Sequence, residues 1–287
     1  MKISEAFEMY GKYVIIKGQS KSVVEHNDYV KRMFIQVVGD IKLSKLSLDD
    51  VYKWKRAMAI GELPNGQKIK RAQNSLRSDI LRLRAMLKYM SIIGEKCIDY
   101  KLVPIPKRED ITRTFLYEDE VSAMIDSAFS TRNKFVISLL YSSGIRLSEL
   151  ISLDRNDIQH RSFNVVGKGK KLRLCFIDER TEMLMEQYLA TRNDDCPALV
   201  VSNLYKQRMT ASNVQLLVRN TAKRAGIDKK VTPHVFRHSF ATNFISNNGG
   251  IKPLSELLGH RSLDTTSIYT HIINNELSKQ YEQFHTF

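Results

Sequence analysis

The chain reads as mainly α-helical with a small β-sheet, in two parts. Three observations carry that reading. Long stretches of the first hundred residues repeat apolar side chains at helical spacing. Val103-Pro104-Ile105-Pro106-Lys107-Arg108-Glu109-Asp110 breaks the pattern, because two prolines one residue apart keep the backbone extended and the charges after them keep it in water. Beyond it, two short strand-like runs flank Gly167-Lys168-Gly169-Lys170-Lys171, which reads as a hairpin among helices. The expected division is a helical domain over 1–103, a linker over 104–112 and a second domain over 113–287.

The first helix is expected from Ile3 to Ile15 and the second from Lys21 to Val38, with Val30, Met33, Phe34 and Val37 on its apolar side. Ser47-Leu48-Asp49-Asp50 is a helix start, since serine or aspartate can accept hydrogen bonds from free N–H groups. The helix it opens carries Val51, Trp54, Ala57 and Met58, and Pro64-Asn65-Gly66 is a turn. A fourth helix, about Ile69 to Ile93, has Leu76, Ile80, Leu83, Leu87 and Met90 at alternating spacings of four and three. Lys70, Arg77, Arg84 and Lys88 fall on another stripe, and Asp79 is the only acid between Lys68 and Lys88. Solvated helix faces mix their charges. This one hardly does, which points to contact with phosphates.

In the second part Leu116-Tyr117-Glu118-Asp119-Glu120-Val121 opens a helix, Lys134 to Tyr141 is an apolar helix ending near Gly144, and Leu147 to Leu153 is a short one. Ser162 to Val166 and Leu172 to Ile177 form the hairpin strands, and helices dominate from Thr181 onwards.

The 287 residues carry a formal charge of +14, with a pI near 9.6 and a mean hydropathy of -0.31. That balance describes a soluble protein with a polyanionic partner. The three cysteines, Cys97, Cys175 and Cys196, show neither close pairing nor metal-ligand spacing, so reduced thiols in the cytoplasm are expected. No apolar run is long enough to span a membrane, and the N-terminus lacks a signal-peptide core.

Chemistry concentrates in a few motifs. Ser143-Gly144-Ile145-Arg146-Leu147-Ser148-Glu149-Leu150 supplies one arginine, and Pro233-His234-Val235-Phe236-Arg237-His238 supplies another with two histidines. Leu258-Gly259-His260 follows, and Tyr269 lies nine residues beyond His260. Arginine suits a phosphodiester transition state, because its planar fork donates two hydrogen bonds and its charge is permanent. A tyrosine can form a covalent phosphoester, and a lysine can protonate a departing oxygen. His234 and His238, four apart, lack the glutamate and third ligand of a zinc site, so no metal is expected.

Taken in order, these motifs resemble the tyrosine recombinases of the phage-integrase class, and most closely the Xer-type site-specific recombinases. The likeness is strong over about Leu116 to Ile272 and architectural before that. It implies an N-terminal four-helix core-binding (SAM-like) domain and a C-terminal catalytic domain, together a C-shaped clamp around double-stranded DNA. It implies Arg146, Lys168, His234, Arg237, His260 and Tyr269 as the catalytic set, Tyr269 being the nucleophile that forms a 3′-phosphotyrosyl intermediate on the way to a Holliday junction. No cofactor is implied, since the cations take the electrostatic role of a metal. Lys70, Arg77, Arg84 and Lys88 become DNA-backbone contacts. The active assembly implied is a homotetramer on two recombination sites, with or without an accessory protein, joined through a C-terminal helix carrying Leu277, Tyr281 and Phe284. The roles open to such a chain are dimer resolution or mobile-element integration and excision. The alternatives are DNA relaxation of the type IB topoisomerase kind and non-catalytic DNA binding.

Overall fold

The structure is a computed structural model describing residues 1–61, 63, 65–66, 68–109, 114–167 and 172–259. Lys168, His260, Tyr269, the end of the linker and the C-terminal helix expected around 274–284 lie outside the described residues. The chain divides into two compact units, Met1–Ile111 and Thr112–Phe287.

The first unit holds α1 (Ile3–Ile16), α2 (Lys21–Val38), α3 (Leu48–Ile60) and α4 (Gln73–Ile92). Its core gathers one apolar stripe from each helix, with the Phe34 and Trp54 rings tilted against each other at 5.2 Å between centroids. Ser47 starts α3 as a reciprocal cap: Asp50 N–H donates to Ser47 Oγ, and Ser47 N–H donates to the Asp50 carboxylate. The helix expected from about Ile69 begins instead at Gln73. The N–H groups of Ile69 and Arg71 donate to Gly61 and Met58 carbonyls at the end of α3, and this pairing holds the segment before α4 outside the helix. Lys70 therefore lies ahead of α4.

Asp79, fully buried on α4, is held by both guanidinium donors of Arg71 at 2.9 Å and by His26 Nε2 at 2.7 Å. It is a structural acid within the basic stripe, tying α4 to α2 and to the segment before it.

In the second unit α5 (Glu118–Asp126), α6 (Thr131–Ser143) and α7 (Leu147–Ser152) precede the strands β1 (Ser162–Val166) and β2 (Leu172–Phe176). The strands pair antiparallel, with Phe163 opposite Cys175 and Val165 opposite Arg173. Then come α8 (Glu179–Ala190), α9 (Ala211–Arg224), α10 (Pro233–Ser246) and α11 (Ile251–Leu258). The fully buried α6 residues Phe135, Val136, Leu139 and Leu140 form the centre of this core.

Candidate active site

Arg146 owes its position to a forced helix end. Gly144 terminates α6 in the left-handed conformation, φ 57°. A Cβ there would come within 2.6 Å of the Phe240 ring. The chain turns, buries Ile145 and restarts as α7 with Arg146 at its N-cap. Glu149, one turn in, accepts from Arg146 N at 2.8 Å and from Arg146 Nη1 at 2.8 Å.

α10 begins with Pro233 at its first position, where a missing N–H costs nothing. Arg237 lies three residues after His234, so the two share a helix face. His234 is exposed and Arg237 buried. Arg237 Nη1 donates to Gly144 O at 2.8 Å, and Nη2 donates to Leu258 O at 2.5 Å.

Leu258 O also accepts from Arg146 Nη2 at 3.5 Å. It lies at the C-terminus of α11, which Gly259 closes in the left-handed conformation. Carbonyls at a helix C-terminus lack intrahelical partners and carry the negative end of the dipole. Here one such carbonyl gathers both arginines. Ile145, Arg146, Ser148, Gln215, His234 and Arg237 line a pocket of about 460 Å³ beside it. The structure thus brings together Arg146, His234 and Arg237 from segments some ninety residues apart in sequence. Lys168, His260 and Tyr269 fall outside the described residues.

Glu149 is buried. Burial alone would raise its pKa, but hydrogen bonds from Arg173 and Arg146 outweigh that and hold it down to about 2. The partner missed in the sequence is Arg173 on β2. Its Nη1 and Nη2 donate to the two Glu149 oxygens at 2.6 and 2.7 Å, and its Nε donates to Leu257 O at 2.9 Å. The signal was the imperfect alternation of the hairpin. Arg173 and Cys175 face inward while Leu172, Leu174 and Phe176 face out. An arginine on the buried face of a strand requires an anionic partner.

On the first unit, Lys70 and Lys88 are exposed. Arg77 Nη1 donates to Pro106 O at 2.5 Å and Arg84 Nη1 to Val103 O at 2.8 Å. The two arginines hold the proline segment along α4.

The phage integrase family model matches residues 114–276, more than half of the chain. The chain belongs to the phage integrase family. It is 31% identical to the tyrosine recombinase XerA of Pyrococcus horikoshii, over 98% of this chain and 93% of that protein. It is 28% identical to the tyrosine recombinase XerD of Listeria monocytogenes serotype 4b, over 95% of each. Its fold is shared with a lambda integrase tetramer bound to a Holliday junction, at 14% identity and a TM-score of 0.75, over 91% of this chain and 78% of that one. The family member described here is thus an enzyme, a tyrosine recombinase with the mainly helical fold and small sheet of its relatives.

Proposed function

We propose that the pocket formed by Arg146, His234 and Arg237 is where this site-specific DNA recombinase cuts and rejoins strands. The observation that carries this reading is the pair of guanidinium groups on Leu258 O. Two fixed cations side by side match the two non-bridging oxygens of a phosphodiester, whose charge grows in the transition state. In the proposed reaction the Tyr269 oxygen bonds to phosphorus as the bond to the 5′ oxygen breaks. His234 takes the phenolic proton and Lys168 donates a proton to the leaving 5′ oxygen. His260 hydrogen-bonds the phosphate. The 5′ hydroxyl of a partner strand reverses the reaction, and two such exchanges pass through a Holliday junction. The phosphotyrosine conserves the energy of the cleaved bond, so no nucleotide cofactor is required.

The first unit is proposed to contact the DNA backbone. Lys70 and Lys88 offer exposed side chains, Lys88 with its ammonium over the Tyr100 ring, while Arg77 and Arg84 add charge from the positions where they hold residues 103–106. Assembly as a tetramer on two sites is proposed by analogy with the lambda integrase tetramer, and the residues proposed to join the copies are Leu277, Tyr281 and Phe284. Among the described residues no helix is long and apolar enough to cross a membrane.

The test is covalent capture on a nicked DNA substrate containing the target site. The wild-type chain should give an SDS-resistant protein–DNA adduct, and Tyr269→Phe should bind the same DNA without forming one. An adduct that persists in Tyr269→Phe means that another residue is the nucleophile.

A further inference from the structure

Three arginines meet at the end of α11, and two of them, Arg146 and Arg173, share the carboxylate of Glu149. Glu149 Oε1 accepts from Arg146 Nη1 and Arg173 Nη1, and its Oε2 accepts from Arg146 N and Arg173 Nη2. All four bonds lie between 2.6 and 2.8 Å. The partition is unequal. Arg173 takes both oxygens with both terminal nitrogens, the strongest geometry an arginine offers a carboxylate. Arg146 commits one side-chain nitrogen, and its side chain is 34% exposed against 6% for Arg173. The neighbouring Cys175 is buried, which pushes its thiol pKa up and leaves it neutral. It adds no negative charge beneath Arg173.

We propose that Arg173 is a positioning residue that absorbs the charge of Glu149, so that Arg146 is oriented by that carboxylate without being neutralised by it. The inference rests on Arg146 acting as a phosphate clamp, as in the reaction above. Without Arg173 the buried carboxylate keeps, among the described residues, Arg146 as its one cationic partner. Arg146 would then be drawn into a closed ion pair and its attraction for the scissile phosphate weakened. Arg173 sets the geometry a second way. Its Nε holds Leu257 O, one residue before the carbonyl shared by Arg146 and Arg237. A Cβ on Gly259 would come within 2.8 Å of Arg173 Cδ, so the turn after α11 is shaped around this side chain.

The test compares Arg173→Gln, Arg173→Lys and the double variant Glu149→Gln/Arg173→Gln in the full-length chain. Two quantities are read: duplex affinity, and the single-turnover rate of adduct formation at saturating DNA. Wild-type protein must form the adduct and Tyr269→Phe must not, so a failure of the reaction itself shows in these controls and not in the Arg173 series. Arg173→Gln is expected to slow adduct formation about 100-fold with affinity changed less than threefold. Arg173→Lys, which keeps the charge, should lose less than tenfold. Adding Glu149→Gln to Arg173→Gln should restore at least tenfold, because the carboxylate that captures Arg146 is gone. A purely structural role predicts the opposite, since two buried changes would then be at least as damaging as one. A double variant no faster than Arg173→Gln overturns the proposal. Should Arg173→Gln fail to fold, the other two variants decide: both should react within tenfold of wild type, and a folded, DNA-binding double variant slowed more than 100-fold overturns it.

Discussion

Glu149 lies at the junction of three structural segments, and its ionisation couples stability to pH. Its folded pKa is depressed to about 2 from an ordinary 4.5. A depressed carboxylate contributes stability above its unfolded pKa and loses it as pH falls through the folded one. The contribution is therefore full above about pH 5 and fades between roughly pH 4.5 and 2. Allowing for screening by nearby solvent, it is on the order of 2 kcal/mol. Glu149→Gln should lower the melting temperature at pH 7 and lose less stability than wild type on acidification, as calorimetry across pH 2.5 to 7 would record. Equal acid sensitivity in both proteins would place the titrating group elsewhere. Arg146→Lys keeps a charge but loses the fork, and should slow adduct formation by about 100-fold with duplex affinity nearly unchanged. Quench-flow of the covalent step against a filter-binding isotherm separates the two effects.

Helix ends, more than helix middles, place the pocket. Gly144 ends α6 where Phe240 leaves no room for a side chain, and its carbonyl receives Arg237. Gly144→Ala adds both a strained backbone and a steric overlap. It should destabilise by about 2 kcal/mol, a fall of several degrees in melting temperature, and slow adduct formation beyond what the melting point explains. Helix limits were legible in the sequence where apolar period and capping chemistry agreed. The Ser47 start of α3 is of this kind, while the span Lys21–Val38 was legible from apolar period alone. The start of α4 was not, because a tertiary pairing with the end of α3 claims the backbone donors before Gln73. Arg146, His234 and Arg237 could be named from motif order alone. Arg173 was not named, because the imperfect alternation of its strand marks an arginine on the buried face without naming its partner, Glu149, which lies 24 residues away in sequence.

Over the whole molecule, the charge of +14 makes DNA binding salt-sensitive through counterion release. Lys70→Ala and Lys88→Ala should each reduce the slope of log affinity against log salt by about 0.9 while leaving the melting temperature alone. Arg77→Ala and Arg84→Ala should show a different balance, losing stability because Pro106 O and Val103 O lose their donors. Fluorescence anisotropy from 50 to 300 mM salt, beside thermal melts, distinguishes the two pairs. Lysine variants that leave the slope untouched would return those residues to an ordinary solvated surface.

The carbonyl of Leu258 sets a threshold for what can enter the pocket. Arg146 and Arg237 already rest on an internal acceptor, so a visiting anion exchanges with it instead of meeting bare cations. A solitary inorganic ion has little to offset that exchange. A polymer held by many neighbouring phosphates does, since its other contacts keep the reacting group at high local concentration. Millimolar free phosphate should therefore inhibit poorly, and the arrangement discriminates between an isolated oxyanion and the same oxyanion embedded in a strand.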